Sequence, residues 1–514
     1  MIWLIAKKDF LLNLISVRFM IGFVLCLVII PFTMIVSVDD YLNKMKIYEI
    51  EYKAAEDNLK GQKVWSYVRP TVIEKPAPLS IFSNGIKDNI GNKVRITFND
   101  YPLFPTGHAN TRDNPLLNAF FSIDFSRVIA ILISLLALVF AYDAFTKERE
   151  EGTMKLAFTG QVSRISFFFG KLFGLLLTLL PILIFCYLLA CLIVMVNPGV
   201  SFSLSDWNGI ILLFLASIVY MLIFILIGML ISSLVNNSSS AIIISLLSWV
   251  WFLFLIPNIS IYLSQSIAKI PLYDNVQSAK DEYDREFQNE MFAKHGELNN
   301  EFGPSAGFAW YMNGGDDGDV EMYGMFRGAY DKYLKYNSWF GTVASDYADK
   351  KWTVQKDYLD QLVKQQELQR AISCLSPSEI FRQVTETLCQ TNAQSFLKYM
   401  ESIREYRLTI LQFFRGNRLF ESASYFTAQP PEFIVDNKDY IGDMQYFREL
   451  FEKDIHTRDH YPNLNVDNVP RYQAAMINKP ALLNEALGSL LLLSVLIVLL
   501  LLGTIISFMK YDVR

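Results

Sequence analysis

The chain has 514 residues, 52% of them hydrophobic, and carries a net charge of −5 at pH 7. Soluble domains hold roughly 45–50% apolar residues, and here the excess is gathered into near-continuous runs rather than spread. No basic stripe marks a nucleic-acid site, so no nucleic-acid partner is expected.

Residues 1–18 place Trp3, Ala6, Phe10, Leu14 and Val17 at helical spacing, with Ile5, Leu12 and Ile15 blurring the stripe. Apolar runs follow at 19–38, 125–142, 172–196, 209–235, 241–263 and 487–508. A hydrocarbon core of about 30 Å takes roughly 20 apolar residues of helix, and each run is about that long. A buried core helix accounts for one such run, but six indicate a polytopic membrane protein. The first run is read as an uncleaved span. Its exit, Ile35 to Asp39, holds no small-x-small cleavage site.

Basic residues orient the spans. Lys7, Lys8 and Arg18 precede the first. Lys147, Arg149, Lys155, Arg164 and Lys171 lie between the second and third, and Lys510 and Arg514 follow the last. With six spans these segments share one side, which the positive-inside rule makes cytoplasmic. The loop at 197–208 has no Lys or Arg, and 236–240 is neutral. The expected order is an interfacial helix at 1–18, the first span at 19–38, an extracytoplasmic insert at 39–124 and the second span at 125–142. A cytoplasmic hairpin at 143–171, spans three to five within 172–263, a second extracytoplasmic insert at 264–480, the sixth span at 481–509 and a cytoplasmic tail at 510–514 complete it. The expected fold is therefore an all-α polytopic membrane protein with six transmembrane helices. Its two inserts form a mostly helical extracytoplasmic domain with a small α+β part.

In the first insert, "DDYLNKMKIYEIEYKAAEDNLK" continues the first span outward, "VRPTVIEKPAPLS" breaks helix with three prolines, and "NKVRITF" has strand character. In the second, 330–414 reads as long amphipathic helix, "NGGDDGD" at 313–319 as a loop and 428–480 as irregular. Cys26, Cys186 and Cys191 lie inside spans. "CLSPSEIFRQVTETLC" reads as a helix with Ser376 as N-cap, Pro377 at the first position and Glu379 closing a capping box. Continuous helix would hold Cys374 and Cys389 about 20 Å apart, so two free thiols are expected.

Chemistry-bearing motifs are sparse. The phosphate-binding pattern G-x-x-x-x-G-K-[ST] is absent; "FFFGKL" holds Gly170 and Lys171 without the first glycine or the hydroxyl residue. The chain is therefore not expected to bind ATP itself. No ionisable group falls near the centre of a run, since Arg127, Lys171 and Glu485 sit at the ends. That argues against an ion-driven carrier or a charged filter. His456 and His460 lack an evident third metal ligand, and Asp316, Asp317 and Asp319 lack calcium-loop spacing. No metal site and no catalytic residue is assigned, and no enzyme domain fits on the cytoplasmic side.

The most informative stretch is "FTKEREEGTMKLAFTGQVSR" at 145–164. Charges 147–151 extend the second span, with Lys147 and Glu151 one helical turn apart. Gly152 ends that helix, Thr153 can cap another, and Met154, Leu156, Ala157 and Phe158 are available for contact before a turn at Gly160. From the residues alone, a docking hairpin and a merely solvated inner loop are equally supported.

"EREEGTMKLAFTGQVSRISFFFGK" resembles the motif of the type-2 ATP-binding-cassette (ABC) permease family, with Glu148, Glu150, Gly152, Thr153, Arg164, Gly170 and Lys171 matching. The N-terminal segment resembles that family's membrane-surface connecting helix. "RPTVIEKPAPLSIFSNGIKDNIG" and "LSPSEIFRQVTETLCQTNAQSFLKYMESIREYR" resemble a bacterial subgroup with large outer inserts. The resemblance implies a permease subunit in the bacterial cytoplasmic (inner) membrane, both termini inside, with ATP and Mg bound by a separate ABC ATPase subunit. It assigns coupling to that ATPase to Glu148, Arg149, Glu150, Glu151, Gly152, Thr153, Met154, Leu156, Phe158, Arg164, Gly170 and Lys171. It also implies a dimer with a second permease copy or a related permease, contact with membrane lipid, an envelope partner through the outer domain, and outward movement of an unidentified substrate. The competing expectation is a membrane-anchored receptor or assembly scaffold whose outer domain binds a ligand without transport.

Overall fold

A computed structural model describes residues 1–86, 91–98, 124–159, 162–302, 310–312, 320–322, 329–428, 449, 452, 462–473 and 479–510. Among the described residues, six helices are long and apolar enough to cross a membrane: Val17–Lys60, Phe125–Glu150, Arg164–Val196, Leu204–Leu234, Ser238–Ile267 and Ala486–Met509. Numbered here as spans 1 to 6, they make the chain an all-α polytopic membrane protein, as its sequence predicts. The acidic loop at 313–319, His456, His460 and Arg514 lie outside the described residues.

Polar N-caps set where the spans begin. Ser16 accepts from the Phe19 N–H in span 1, Asp124 from Arg127 in span 2, and Ser163 from Ser166 in span 3. Ser203 forms a capping box with Asp206 at the head of span 4. Each cap satisfies helix-end N–H groups that lipid could not. Span 1 has 44 residues, about 66 Å at the helical rise, so it outruns the bilayer. Its polar second half, with ion pairs such as Lys44–Asp40 at 2.7 Å, climbs into the inserts.

Spans 2 and 4 form the centre of the bundle. Gly228 of span 4 lies so close to span 2 that a Cβ there would sit 2.6 Å from the Ala141 methyl; only small residues allow that approach. Hydrogen bonds add to it. Tyr220 of span 4 donates to the Ala130 carbonyl at 3.0 Å, and Trp249 of span 5 donates to Ser134 Oγ at 2.9 Å. Spans 1, 5 and 6 keep most of their apolar surface on the bundle exterior.

The inserts share a second core. Leu59, Val68, Val72 and Ile96 of the first pack with Ile403, Ile410, Phe414 and Phe426 of the second. Helices Tyr273–Phe302 and Ala329–Ser373 lie against each other, and Ala393–Gly416 supplies much of the apolar face. Strand Thr71–Ile73 pairs antiparallel with Lys93–Arg95, Val72 opposite Val94, inside the stretch predicted as strand. Arg407, only 2% exposed, joins the two inserts. Its guanidinium donates to Asp349 at 2.9 Å and to the carbonyls of Thr97 and Phe98 at 3.3 and 3.1 Å.

One segment departs from expectation. The helix Pro377–Leu388 of the second insert is driven into the bundle against spans 2, 4 and 6, with Phe381 stacked on Tyr220 at 4.6 Å. We call it the wedge helix. Ser376 stands at its N-cap position but makes no side-chain cap, and Glu379 pairs with Arg382 instead of closing a capping box. The reason lies in span 5. Trp251–Leu255 is a π-helical turn, in which the Phe252 carbonyl would look five residues ahead to Pro257, which has no N–H. The Ser376 and Ser378 hydroxyls donate to that carbonyl, Ser378 at 2.9 Å. Glu379, Arg382 and Glu386 are thereby carried against the spans, whose own apolar runs hold no ionisable group near their centres. They come from an insert rather than from a span. Cys374 and Cys389 are both free thiols, as expected.

Arg407→Ala removes the donor shared by both inserts from the carbonyls of Thr97 and Phe98. It is expected to cost about 2–4 kcal/mol, read as faster proteolysis of the inserts while the spans stay protected.

Candidate functional site

The charged stretch that closes and follows span 2 folds as two short helices, Thr146–Glu150 and Thr153–Thr159, joined at Gly152. Gly152 has φ +72°, a left-handed conformation that glycine adopts without strain, and its N–H donates to the Arg149 carbonyl at 3.1 Å. Thr153 does not cap the second helix from outside. It is the first helical residue, and its hydroxyl donates to the Glu148 carboxylate, closing the hairpin on itself.

Lys171, Arg149, Glu150 and Arg164 of the motif each meet a different element. Lys171, 7% exposed, donates to Glu148 Oε1 at 2.7 Å and pairs with Asp9 at 3.1 Å. The ion triad thus joins the hairpin, span 3 and the N-terminal helix Ile2–Leu14. Burial pushes the Asp9 carboxyl upward, against the opposing pull of the Lys171 ammonium. Gly170 and Gly174 let the N-terminal helix approach. A Cβ at Gly170 would lie 2.7 Å from Ile5 Cβ, and one at Gly174 would lie 2.9 Å from Asp9 Cβ.

The next two charges bracket the connection between spans 4 and 5. Arg149 donates to the carbonyls of Ser233 and Val235 at 2.9 and 3.0 Å, where span 4 ends. Glu150 accepts from the N–H and hydroxyl of Ser238, both at 2.8 Å, where span 5 begins. A cation on helix-end carbonyls and an anion on helix-start N–H groups each match the local helix dipole. Ser232 returns the contact, accepting from the N–H groups of Phe145 and Thr146 at 3.0 and 3.2 Å. Further along, Arg164 donates to the Met509 carbonyl at 2.6 Å, capping span 6. Arg18 pairs with Asp143 at 2.8 Å and locks span 1 to the end of span 2.

The apolar residues divide. Met154 is buried and Phe158 packs on Phe167 and Phe508 at 5.5 and 6.4 Å, so both belong to the bundle rather than to a free surface. Leu156 is 73% exposed, and Glu151 is exposed beside it. The side chains of Lys155 and Ala157, and residues 160–161, lie outside the described residues. The sequence-read stripe of the N-terminal helix also shifts. Trp3 and Val17 are exposed, while Ala6 is buried and Ile5 and Asp9 meet span 3. A polar Asp on the buried face explains why the stripe looked blurred.

The site therefore brings together Glu148, Thr153, Gly170 and Lys171, and sends Arg149, Glu150 and Arg164 to separate spans. Asp9, Ser232 and Ser238 escaped sequence reading. Asp9 left one signal, as the lone acid among basic residues one turn past Ile5. What the arrangement offers chemically is mechanical. A small exposed face is tied by charge-assisted hydrogen bonds to the N-terminal helix and to spans 3, 4, 5 and 6.

A family model described as "ABC-2 family transporter protein" matches residues 3–513. No curated protein matches the chain significantly.

Lys171→Met should leave Asp9 and Glu148 buried without their cation and cost about 3–5 kcal/mol. Adding Asp9→Asn and Glu148→Gln should recover most of that loss, as followed by thermal unfolding in detergent. An equal loss in both proteins would show that the triad is not the staple.

Proposed function

The chain belongs to the ABC-2 family of transporter proteins, and on that premise we propose that its hairpin couples ATP hydrolysis by a separate ABC ATPase to movement of the spans. It is a multi-pass ABC permease, and the family works with an ATPase subunit. The carrying observation is that the motif's charges reach the N-terminal helix and spans 3 to 6, leaving Leu156 and Glu151 exposed. ATP and Mg belong to the partner. A push on that face reaches the C-terminal carbonyls of span 4 and the first N–H of span 5 through two adjacent residues. Coupling requires that the face fit one ATPase arrangement better than the other.

The bundle end that carries the hairpin also carries the N-terminal helix, through Lys171–Asp9, and the last turn of span 6, through Arg164–Met509. Its basic residues support a cytoplasmic position for that end under the positive-inside rule. In this reading the protein sits in a bacterial cytoplasmic membrane with both termini inside and the inserts outside. It pairs with a second permease, itself or a relative, and moves its substrate outward, toward an envelope partner met through the inserts. A receptor or scaffold would have no use for a hairpin tied to so many spans.

Glu150→Ala combined with Gly152→Val is expected to leave the chain in the membrane. Co-purified ATPase, or substrate-stimulated ATP turnover in proteoliposomes, should fall about tenfold. Leu156→Glu should lower ATPase retrieval alone. Normal retrieval and turnover in both variants would refute the assignment.

A further inference from the structure

A cavity of about 640 Å³ lies at the insert end of the bundle, between spans 2 and 5 and the wedge helix. Its polar wall consists of Asp124 and Arg127 at the head of span 2 and Glu379, Arg382 and Glu386 on the wedge. Ile131 and Phe254 form the other wall and are also 37% and 48% exposed on the bundle exterior. The cavity lies beside the first two turns of span 2, a helix long and apolar enough to cross a membrane.

The charges are not needed to seat the wedge helix. Ile380, Phe381, Val384 and Leu388 are buried and would anchor it alone. Ionised groups at this depth raise the cost of burial, and charges kept there mark a site of use. Their balance gives the ligand's sign. Arg382 is already matched by Glu379 at 2.6 Å and Glu386 at 2.7 Å, so one guanidinium holds two carboxylates. By formal charge Asp124 offsets Arg127, which leaves the lining one negative charge in excess, beside apolar Ile131 and Phe254. A second cavity of about 380 Å³ shares Ile261 and Gln369 with the first and is lined by Gln265, Gln365 and Gln366. Leu359, Leu362, Val363, Phe396 and Leu397 make the rest of that second lining largely apolar.

We propose that this chamber recognises the headgroup of a membrane lipid bearing a primary ammonium, taken laterally from the leaflet beside spans 2 and 5. The ammonium sits against Glu379 and Glu386, and the acyl chains lie along Ile131 and Phe254. Naming this lipid as the transported substrate rests on the permease reading; the binding itself does not.

The test uses the full-length chain, delipidated in detergent and offered phosphatidylethanolamine, phosphatidylcholine or phosphatidylglycerol with identical chains, with retention read by native mass spectrometry. Phosphatidylethanolamine should be retained at least about tenfold better than either competitor. Glu379→Gln/Glu386→Gln should abolish that preference. So should Ile131→Trp, which fills the mouth from a lipid-facing position and decides the matter if the double variant does not fold. Equal retention of the three lipids, or a preference that survives these variants, overturns the proposal. ATPase retrieval by the unmodified chain is measured alongside. Normal retrieval with lipid indifference sinks the lipid assignment alone, whereas lost retrieval with intact lipid preference sinks the permease reading alone.

Discussion

The ion triad of Lys171, Glu148 and Asp9 is the contact on which the hairpin end of the molecule depends. An ammonium this deeply buried is tolerable only when carboxylates and hydrogen bonds surround it. Its two partners come from elements far apart in sequence. Their convergence requires the N-terminal helix to lie almost in backbone contact with span 3, which Gly170 and Gly174 permit. Small residues and charge thus act together: the glycines set the distance at which the ion pairs close.

From that fixed point the hairpin reaches outward by helix-end chemistry. Arg149 and Glu150 are neighbours in sequence and engage opposite sides of a single interhelical connection, one on carbonyls and one on N–H groups. Arg164 does the same for span 6. In lipid an unsatisfied helix terminus costs several kcal/mol, so these contacts hold the span ends firmly. The exposed face around Leu156 is small because the remaining described apolar residues, Met154 and Phe158, are engaged inside the bundle. A displacement of that face therefore has few places to dissipate before it reaches a span.

At the other end a proline and a π-helical turn in span 5 leave the Phe252 carbonyl in need of donors, and two serines ahead of the wedge helix supply them. The wedge in turn brings three charged residues beside Asp124 and Arg127 at the head of span 2. A chamber with a polar wall is thus assembled from an insert and the head of span 2, while the middle of each span keeps the uniform hydrophobicity that insertion into the bilayer requires.

The sequence by itself determined the six spans, because each is a run of apolar residues of bilayer length. It also determined the hairpin's break at Gly152, because glycine favours the left-handed turn, and the strand character near Val94. It marked Glu148, Glu150, Arg164, Gly170 and Lys171 as a set through their motif spacing. Tertiary structure alone decided their partners. Asp9, Ser232 and Ser238 lie in other segments, and no local periodicity records a contact made between distant helices. The same holds for the wedge: Ser376 read locally as an ordinary cap because its true acceptor, the Phe252 carbonyl, is set free only by the π-turn of span 5. Periodicity and capping are properties of one segment, whereas a charge pair or an orphaned carbonyl is resolved only when two segments meet.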